Sequence, residues 1–212
     1  MLSLQKLVYH PPSTTTPILQ GINLELPGQK LGVIVGSSGS GKTTLLEILA
    51  GFAERTEGDI CWKENPLGSE ELQQLSGLVF QFPERHFCGN SILEELRIGR
   101  PQLSLEKIKT ALGEVGLIEF SLNKSPYSLS GGQQRRLALA VQLIRQPSLL
   151  LLDEPTAGLD WSMRRQLTTL LNKLKKDWTL LVVSHDASEL LEIADYCWKI
   201  KDGRLEPITL KK

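Results

Sequence analysis

The feature that most constrains this chain is a glycine-rich segment near its N-terminus. Residues 36–43 read GSSGSGKT, which matches the pattern GxxxxGK[ST] of a phosphate-binding loop. The apolar stretch before it, Lys30–Val35, predicts a buried strand, and the stretch after it, Thr44–Ala50, is rich in helix formers. A strand, a glycine loop and a helix therefore follow one another in the order that such a loop requires. The sequence predicts a nucleoside triphosphate site.

The residue types in this loop suit an anionic ligand. Glycine lets the loop fold tightly, and the backbone N–H groups at the helix start point at the phosphates together with the positive end of the helix dipole. We expect Lys42 to reach the β- and γ-phosphates and the Thr43 hydroxyl to bind Mg²⁺. The predicted phosphate-binding residues are Gly36, Ser37, Ser38, Gly39, Ser40, Gly41, Lys42, Thr43 and Thr44.

The composition excludes several classes of protein. The chain has 212 residues, which suits one domain with or without a small inserted lobe. Its 24 Lys and Arg residues balance 24 Asp and Glu residues, so we expect no nucleic-acid partner. Three widely spaced cysteines, Cys61, Cys88 and Cys197, argue against a disulfide framework or a zinc site and favour a reducing compartment. No apolar run is long enough to span a membrane, so any membrane role requires a partner protein.

The apolar patterns predict an α/β protein made of three parts. Short antiparallel strands are expected at Leu2–Tyr9 and Ile22–Leu26, followed by further strands at Gly58–Trp62 and Gly77–Phe80. Helical segments then follow at Ile92–Ile98 and Ser104–Val115, and from Gly132 onwards helices alternate with apolar strands. We predict a single domain with its core at residues 1–81 and 132–212 and an inserted helical lobe at about residues 82–131.

A second group of candidate functional residues follows four consecutive leucines. Leu149–Leu152 predicts a central strand that delivers Asp153 and Glu154 to its C-terminal edge, where the phosphate-binding loop also lies. Asp153 is expected to bind Mg²⁺ or its waters. Because Pro155 favours an extended residue before it, Glu154 should face the other way and act as the general base for water. The alternative is an acid pair that simply faces solvent.

Residues Ser128–Gln133 read SLSGGQ at the start of a predicted helix and precede the Leu149–Leu152 strand. The chain resembles the ABC-type ATPases, which the pentapeptide LSGGQ defines, and the resemblance spans Leu2 to Arg204. The motif is also a second glycine-opened helix N-terminus, suited to an anion. The resemblance implies ATP and Mg²⁺ as cofactors and a P-loop NTPase core with an N-terminal antiparallel β subdomain and an inserted α-helical subdomain. It also implies head-to-tail pairing with a second ATPase subunit, identical or related, whose ATP would contact Ser130, Gly131, Gly132 and Gln133.

Other family elements follow in order. Gln81 resembles the Q-loop glutamine that touches Mg²⁺ and the water, and Ala157–Asp160 resembles the D-loop. His185, at the end of a predicted strand, resembles the switch histidine that contacts the γ-phosphate. Taken alone, His185 would read as a structural histidine and Gln81 as a surface glutamine. The series of motifs favours the catalytic interpretation for both.

One position departs from the family pattern. The family usually stacks an aromatic side chain on adenine just before the first loop, but Pro11 stands near that position here. Tyr9, two residues earlier, is either the adenine platform or a residue packed in the core.

The resemblance also indicates an ATP-hydrolysing subunit that energises an ABC transporter. The stretches Val79–Phe87 and Tyr127–Arg136 are similar to the ATPases of energy-coupling factor and cobalt- or nickel-type importers. This implies a membrane-embedded partner and a cytoplasmic location on the inner face of a membrane. Those ATPases commonly carry a C-terminal extension, whereas only Asp202–Lys212 follows the last predicted strand. A non-transport ABC ATPase, such as a cofactor-assembly scaffold ATPase, is the alternative.

An aromatic cluster after Gln81 predicts a docking surface. Phe80, Phe82 and Phe87 lie beside Pro83, and aromatic residues on such a loop tend to mark an interface. We expect the segment Phe82–Cys88 to receive a cytoplasmic helix of the membrane subunit, with Phe82 and Phe87 as apolar anchors. The alternative is that all three aromatic side chains pack beneath the helical lobe.

Overall fold

The computed structural model describes residues 1–12, 14–118 and 121–210, with Glu84 described by its backbone alone. The strands are β1 (Leu2–Tyr9), β2 (Leu19–Leu26), β3 (Leu31–Val35), β4 (Glu57–Trp62), β5 (Asn65–Pro66), β6 (Ser76–Val79), β7 (Leu149–Asp153), β8 (Thr179–Ser184), β9 (Tyr196–Lys201) and β10 (Arg204–Pro207). The α-helices are α1 (Lys42–Leu49), α2 (Ser69–Leu75), α3 (Ile92–Arg97), α4 (Leu105–Glu114), α5 (Gly131–Arg145), α6 (Trp161–Leu174) and α7 (Ser188–Ile193). Two short 3-10 helices occupy Pro83–His86 and Pro126–Ser128.

The larger sheet has six strands in the order β10-β9-β3-β8-β7-β6. Strands β9, β3, β8, β7 and β6 run parallel, and β10 pairs antiparallel with β9. Val35 at the end of β3 pairs with Ser184 of β8, and Asp153 at the end of β7 pairs with Val183. The chain therefore leaves these three neighbouring strands at the same edge, which is where ligands bind in open α/β sheets.

Both faces of this sheet are covered, which explains the unbroken run of leucines in β7. Leu149 and Leu151 belong to one buried cluster, together with residues of α1 and the N-terminal strands. Leu150 and Leu152 belong to a second cluster, together with residues of α5, α6 and α7. Since successive strand residues point to opposite faces, a central strand buried on both sides needs apolar residues at every position.

The smaller sheet is antiparallel, in the order β2-β1-β4-β5. Strand β2 begins at Leu19, not at Ile22 as the sequence pattern predicted. Its register with β1 shifts around Leu7, which pairs with Ile22 while Val8 pairs with Gln20, so Gly21 is skipped. Gly21 has φ of 72°, a conformation that glycine adopts without strain, and the strand continues through this bulge.

Helix α2 and strands β5 and β10 were not predicted, although two of them carried a sequence signal. The α2 segment begins Gly-Ser-Glu-Glu, and the Glu71 carboxylate accepts a hydrogen bond from the Gly68 N–H group at 2.9 Å. Strand β10 follows β9 through Asp202 and Gly203, both with positive φ, and Asp-Gly is a strong hairpin signal.

The α/β class is confirmed, and the remaining strand and helix boundaries differ from the predicted ones by a few residues. The segment between β6 and α5 contains α3, α4 and both 3-10 helices, with residues 119–120 outside the described part. The division into a core and a lobe at residues 82–131 stays a prediction. In the described part of the chain, no helix is long and apolar enough to cross a lipid bilayer.

Candidate nucleotide-binding site

A cavity of about 620 Å³ lies where the predicted site residues meet. Most of the glycine-loop residues line it, together with Gln81, Asp153, Glu154 and His185. These four side chains come from the ends of β6, β7 and β8, which are neighbours in the sheet. Residues that are far apart in the sequence therefore converge on one site beside the phosphate-binding loop.

Two glycines in the loop occupy positions where a side chain would not fit. A Cβ atom on Gly36 would lie 2.6 Å from Cγ2 of Ile200 and 2.7 Å from its carbonyl oxygen. Gly41, which precedes α1, has φ of +100° and would place a Cβ 2.9 Å from Leu19. The loop can therefore follow this path, with its N–H groups at the start of α1, only with glycine at both positions.

Lys42 is buried and its ammonium group faces the cavity. Nζ donates hydrogen bonds to the carbonyl oxygens of Gly36 at 2.8 Å and Ser37 at 2.9 Å. It also lies 3.6 Å from Oε1 of Glu154, and the Lys42 side chain is 7% exposed. The positive charge is thus held at the loop, where it can attract the phosphates of a nucleotide.

Asp153 and Thr43 form a pair that fits a divalent cation. The Thr43 hydroxyl donates to Oδ2 of Asp153 at 2.8 Å, whereas Oδ1 is buried and has no hydrogen-bond partner among the described residues. Burial raises the pKa of the Asp153 carboxyl, and the nearby Glu154 charge raises it further, against the Thr43 hydrogen bond and the Lys42 charge. An orphaned carboxylate oxygen beside a hydroxyl suits Mg²⁺, whose other ligands are typically phosphate oxygens and waters.

The predicted conformation of Glu154 is wrong. Pro155 was expected to hold Glu154 extended, but the φ angle of Glu154 is +45°, in the left-handed region. The chain turns sharply after β7, because the Glu154 N–H group bonds to the Val183 carbonyl and the Glu154 carbonyl accepts from the Ala157 N–H group. Such strained backbone persists where surrounding contacts fix it, and functional sites are a common location.

The Glu154 carboxylate is nevertheless well oriented. Oε2 accepts hydrogen bonds from the Ser184 hydroxyl at 3.0 Å and from the His185 backbone N–H at 3.1 Å. It also lies 2.8 Å from Nδ1 of His185, and since an ionised carboxylate only accepts, we assign a proton to Nδ1. Asp153 and Glu154 therefore have different partners, Thr43 for the former and His185 for the latter.

The LSGGQ residues lie at a different cavity. Ser130, Gly132 and Gln133 line a cavity of about 280 Å³ between α5 and α6, with Gly131 at the first turn of α5. The Ser130 N–H donates to Oε1 of Gln133 at 2.9 Å, and the Ser130 hydroxyl accepts from the Gln133 N–H at 3.4 Å. This capping box opens the helix. These residues do not share the cavity that Lys42 lines.

Tyr9 is not among the residues that line the nucleotide cavity, whereas Ile18 is. The Tyr9 side chain is partly buried against the cluster that contains α1. Its role as an adenine platform stays a prediction.

Ser184 was missed by the sequence interpretation. It is 1% exposed, and its hydroxyl donates to Glu154 and accepts a hydrogen bond from the Asp186 N–H group at 3.2 Å. The signal was present, since a hydroxyl residue follows four apolar residues at the end of strand Thr179–Ser184, just before His185.

The raised pKa of Asp153 predicts an effect on stability. A carboxyl whose pKa is higher in the folded than in the unfolded state makes the fold lose stability as pH rises between the two pKa values. At neutral pH, above the pKa of the unfolded state, this cost is present, so Asp153→Asn should raise the melting temperature of the nucleotide-free protein. A gain of about 1 kcal/mol corresponds to about 2–4 °C in a domain of this size.

Asp195→Asn is a matched control for which we expect the opposite sign. Burial alone would raise the pKa of Asp195, but the Leu31 N–H and the ammonium groups of Lys175 and Lys30 lower it overall. Its charge therefore stabilises the fold at neutral pH, and this stabilisation is lost as pH falls through the lowered pKa. Thermal unfolding at pH 7 measures both variants, and a lower melting temperature for Asp153→Asn would contradict the prediction.

The fold and the site together define an ATP-binding protein of the phosphate-loop class. The family model described as "ABC transporter" matches residues 19–157. The chain belongs to the ABC transporter family of ATPases. It is 44% identical over 95% of its length, and 78% of the relative's, to ABC transporter I family member 11, chloroplastic, of Arabidopsis thaliana. It is 35% identical over 88% of its length, and 70% of the relative's, to the energy-coupling factor transporter ATP-binding protein EcfA2 of Leuconostoc mesenteroides.

Solved structures agree with this assignment. The structure of cbiO1 from Clostridium perfringens, part of the ABC transporter complex cbiONQ, superposes with a TM-score of 0.87 at 29% identity, covering 97% of this chain and 86% of that one. The ATP-binding cassette MJ0796, a dimer in a post-hydrolysis state bound to ADP and Pi, gives 0.85 at 27% identity, with full coverage of both chains. The predicted ABC-type fold is confirmed, and the chain is an ATP-hydrolysing ABC ATPase.

Proposed function

We propose that this chain powers an importer of the energy-coupling factor or cobalt type. Its role as the ATP-binding subunit of an ABC transporter follows from the family. The importer class is supported by the likeness to EcfA2 and to cbiO1, each over most of this chain. The observation that most supports ATP hydrolysis is that Lys42, Asp153 and Glu154 line one cavity.

The contacts in the nucleotide cavity support a separate role for each of its residues in ATP hydrolysis. Lys42 binds the β- and γ-phosphates, and Thr43, Asp153 and Gln81 hold Mg²⁺, which neutralises phosphate charge when it is bound. Glu154 orients the attacking water and takes its proton as general base. His185 keeps the Glu154 carboxylate in place through the 2.8 Å contact of Nδ1. In the doubly protonated ring, the Nε2–H group would also donate to the γ-phosphate.

The separate position of the LSGGQ residues supports a head-to-tail dimer. Ser130, Gly131, Gly132 and Gln133 would contact ATP held by the loop of a second ATPase subunit, identical or related. The cassette MJ0796 forms a dimer, and it matches this chain over its full length. The proposed complex is cytoplasmic and lies on the inner face of a membrane, against a membrane-embedded subunit, with no nucleic-acid partner.

The docking prediction needs one correction, because Phe87 is not a surface anchor. Phe87 is only 7% exposed and belongs to the core cluster beneath the helices. Phe82 is 37% exposed, with the Arg85 guanidinium 4.6 Å from its ring centre. Phe80 stacks on His86 at 4.4 Å. We therefore propose a docking surface of Phe82, Arg85 and His86.

Phe82→Asp is expected to weaken assembly with the membrane subunit and to uncouple transport. A carboxylate replaces the exposed apolar anchor, while the ATPase activity and the melting temperature of the isolated subunit stay unchanged. Phe87→Asp is the comparison variant, and it should unfold or strongly destabilise the protein because it buries a charge. Transport assays on the assembled complex and thermal unfolding of the subunit separate the two effects. Unaltered transport by Phe82→Asp would contradict the docking surface.

Co-purification tests the proposed function as a whole. The tagged protein should be recovered from detergent-solubilised membranes with a membrane-spanning subunit, and the complex should hydrolyse ATP. Glu154→Gln should be recovered with the same partner but with little hydrolysis. Recovery with a soluble assembly complex in place of a membrane subunit would favour the scaffold ATPase alternative.

A further inference from the structure

Arg135 is a buried arginine in the first half of α5. None of the sequence motifs described above gives it a role in ATP hydrolysis. Its residue exposure is 8%, although it is the fifth residue of a helix that begins at the surface. Its guanidinium donates to backbone carbonyl oxygens on two segments of the chain. These acceptors include Pro155 at 2.7 Å, Gln81 at 3.5 Å and Ala157 at a shorter distance.

These carbonyl groups belong to the two segments that carry proposed catalytic residues. Pro155 and Ala157 lie within three residues after Glu154, whose φ of +45° requires outside support. The Ala157 N–H group also closes a turn onto the Glu154 carbonyl at 3.0 Å. Gln81 is itself a residue of the nucleotide cavity. One side chain thus fixes the backbone on both sides of the site.

The bonding pattern requires arginine in particular. A guanidinium presents five N–H donors in a rigid planar fork, whereas an ammonium is a compact point charge that cannot reach the same acceptors in that geometry. The next residue, Arg136, bonds instead to Oε1 of Gln166 on α6 at 2.6 Å. The arginine at the neighbouring position of α5 therefore does not share the contacts of Arg135.

We propose that Arg135 is a positioning residue that holds Glu154 in its catalytic geometry and ties this geometry to α5. This inference rests on the proposed function, because α5 begins at Ser130, which would contact the ATP of the second subunit. Arg135 lies five positions after Ser130, which corresponds to a rise of roughly 7.5 Å along the helix. A shift of α5 caused by ATP at one site would thus move the Glu154 turn that serves the other site.

Arg135→Lys should lower kcat for ATP hydrolysis by about 10- to 100-fold, because a displacement near 1 Å of a reacting group costs that much. KM and the dissociation constant for ATP should change less than about threefold, since the carbonyl groups of Pro155, Ala157 and Gln81 lie outside the phosphate-binding loop at residues 36–43. Arg135→Ala should show a similar split, and added guanidinium ion should restore part of its kcat by occupying the vacated site. The wild-type protein should not respond to guanidinium in this way.

Arg145→Ala is the matched control, since Arg145 lies on the same helix but is exposed. We expect it to keep wild-type kcat. Normal kcat in Arg135→Lys would overturn the proposal, as would the unfolding of both variants or a parallel loss of ATP affinity. A wild-type protein that fails to hydrolyse ATP would instead contradict the proposed function, so the two failures are distinguishable.

Discussion

Lys42→Ala is expected to abolish ATP binding. The ammonium is buried and held at the loop by the Gly36 and Ser37 carbonyls, 3.6 Å from the Glu154 carboxylate. Hydrogen bonds to charged groups contribute about 1.5–3 kcal/mol each, so loss of the contacts to two phosphates should weaken ATP binding by more than about 10²-fold. Removal of the ammonium also leaves Glu154 without its positive neighbour, which adds repulsion toward the nucleotide.

Calorimetric titration with ATP and Mg²⁺ measures this effect. Lys30→Ala is the matched control, because Lys30 is exposed and lies 3.8 Å from Asp195 in a surface ion pair of small energetic value. We expect Lys30→Ala to bind ATP as the wild type does. An affinity for Lys42→Ala within threefold of wild type would show that the loop backbone alone binds the phosphates.

The parts of the site that could be predicted are those that local sequence determines. The loop at 36–43 needs glycine because of its tight local backbone path. The four leucines at Leu149–Leu152 predict a strand that is buried on both faces. The edge where Asp153 lies then follows from the parallel arrangement, since strand ends meet there. Each of these inferences uses spacing within one short segment.

The parts that could not be predicted depend on contacts between distant segments. The left-handed conformation of Glu154 is supported by Val183 and Ser184 on β8 and by Arg135 on α5, which are far apart in the sequence. Pro155 biases the local chain toward extension, and these tertiary contacts override that bias. The burial of Phe87 also depends on distant contacts. Its sequence neighbours suggest a surface loop, but it belongs to a buried cluster with residues of α3, α4 and α5.

Glu154→Gln is expected to preserve ATP binding and to slow hydrolysis by about 10²- to 10⁴-fold, the usual contribution of a general base. The amide oxygen can still accept hydrogen bonds from the Ser184 hydroxyl and the His185 N–H, so the turn after β7 keeps its supports. What the amide cannot do is take a proton from water. Steady-state ATPase assays and ATP titrations measure the two quantities separately. Glu192→Gln, an exposed carboxylate on α7, is the control with the same chemical change.

The same variant should reveal the dimer, because ATP that is not hydrolysed keeps its γ-phosphate. That phosphate would bridge Lys42 of one subunit and Ser130 of the other, so the affinity between subunits becomes linked to the nucleotide. Light scattering should therefore show a dimer for Glu154→Gln with ATP and a monomer for the wild type with ADP. Normal turnover in Glu154→Gln would remove Glu154 from catalysis. If turnover is slow but the protein stays monomeric with ATP, Glu154 keeps its role as general base. The LSGGQ residues would then contact ATP only in a pair with a related chain or in the complete membrane complex.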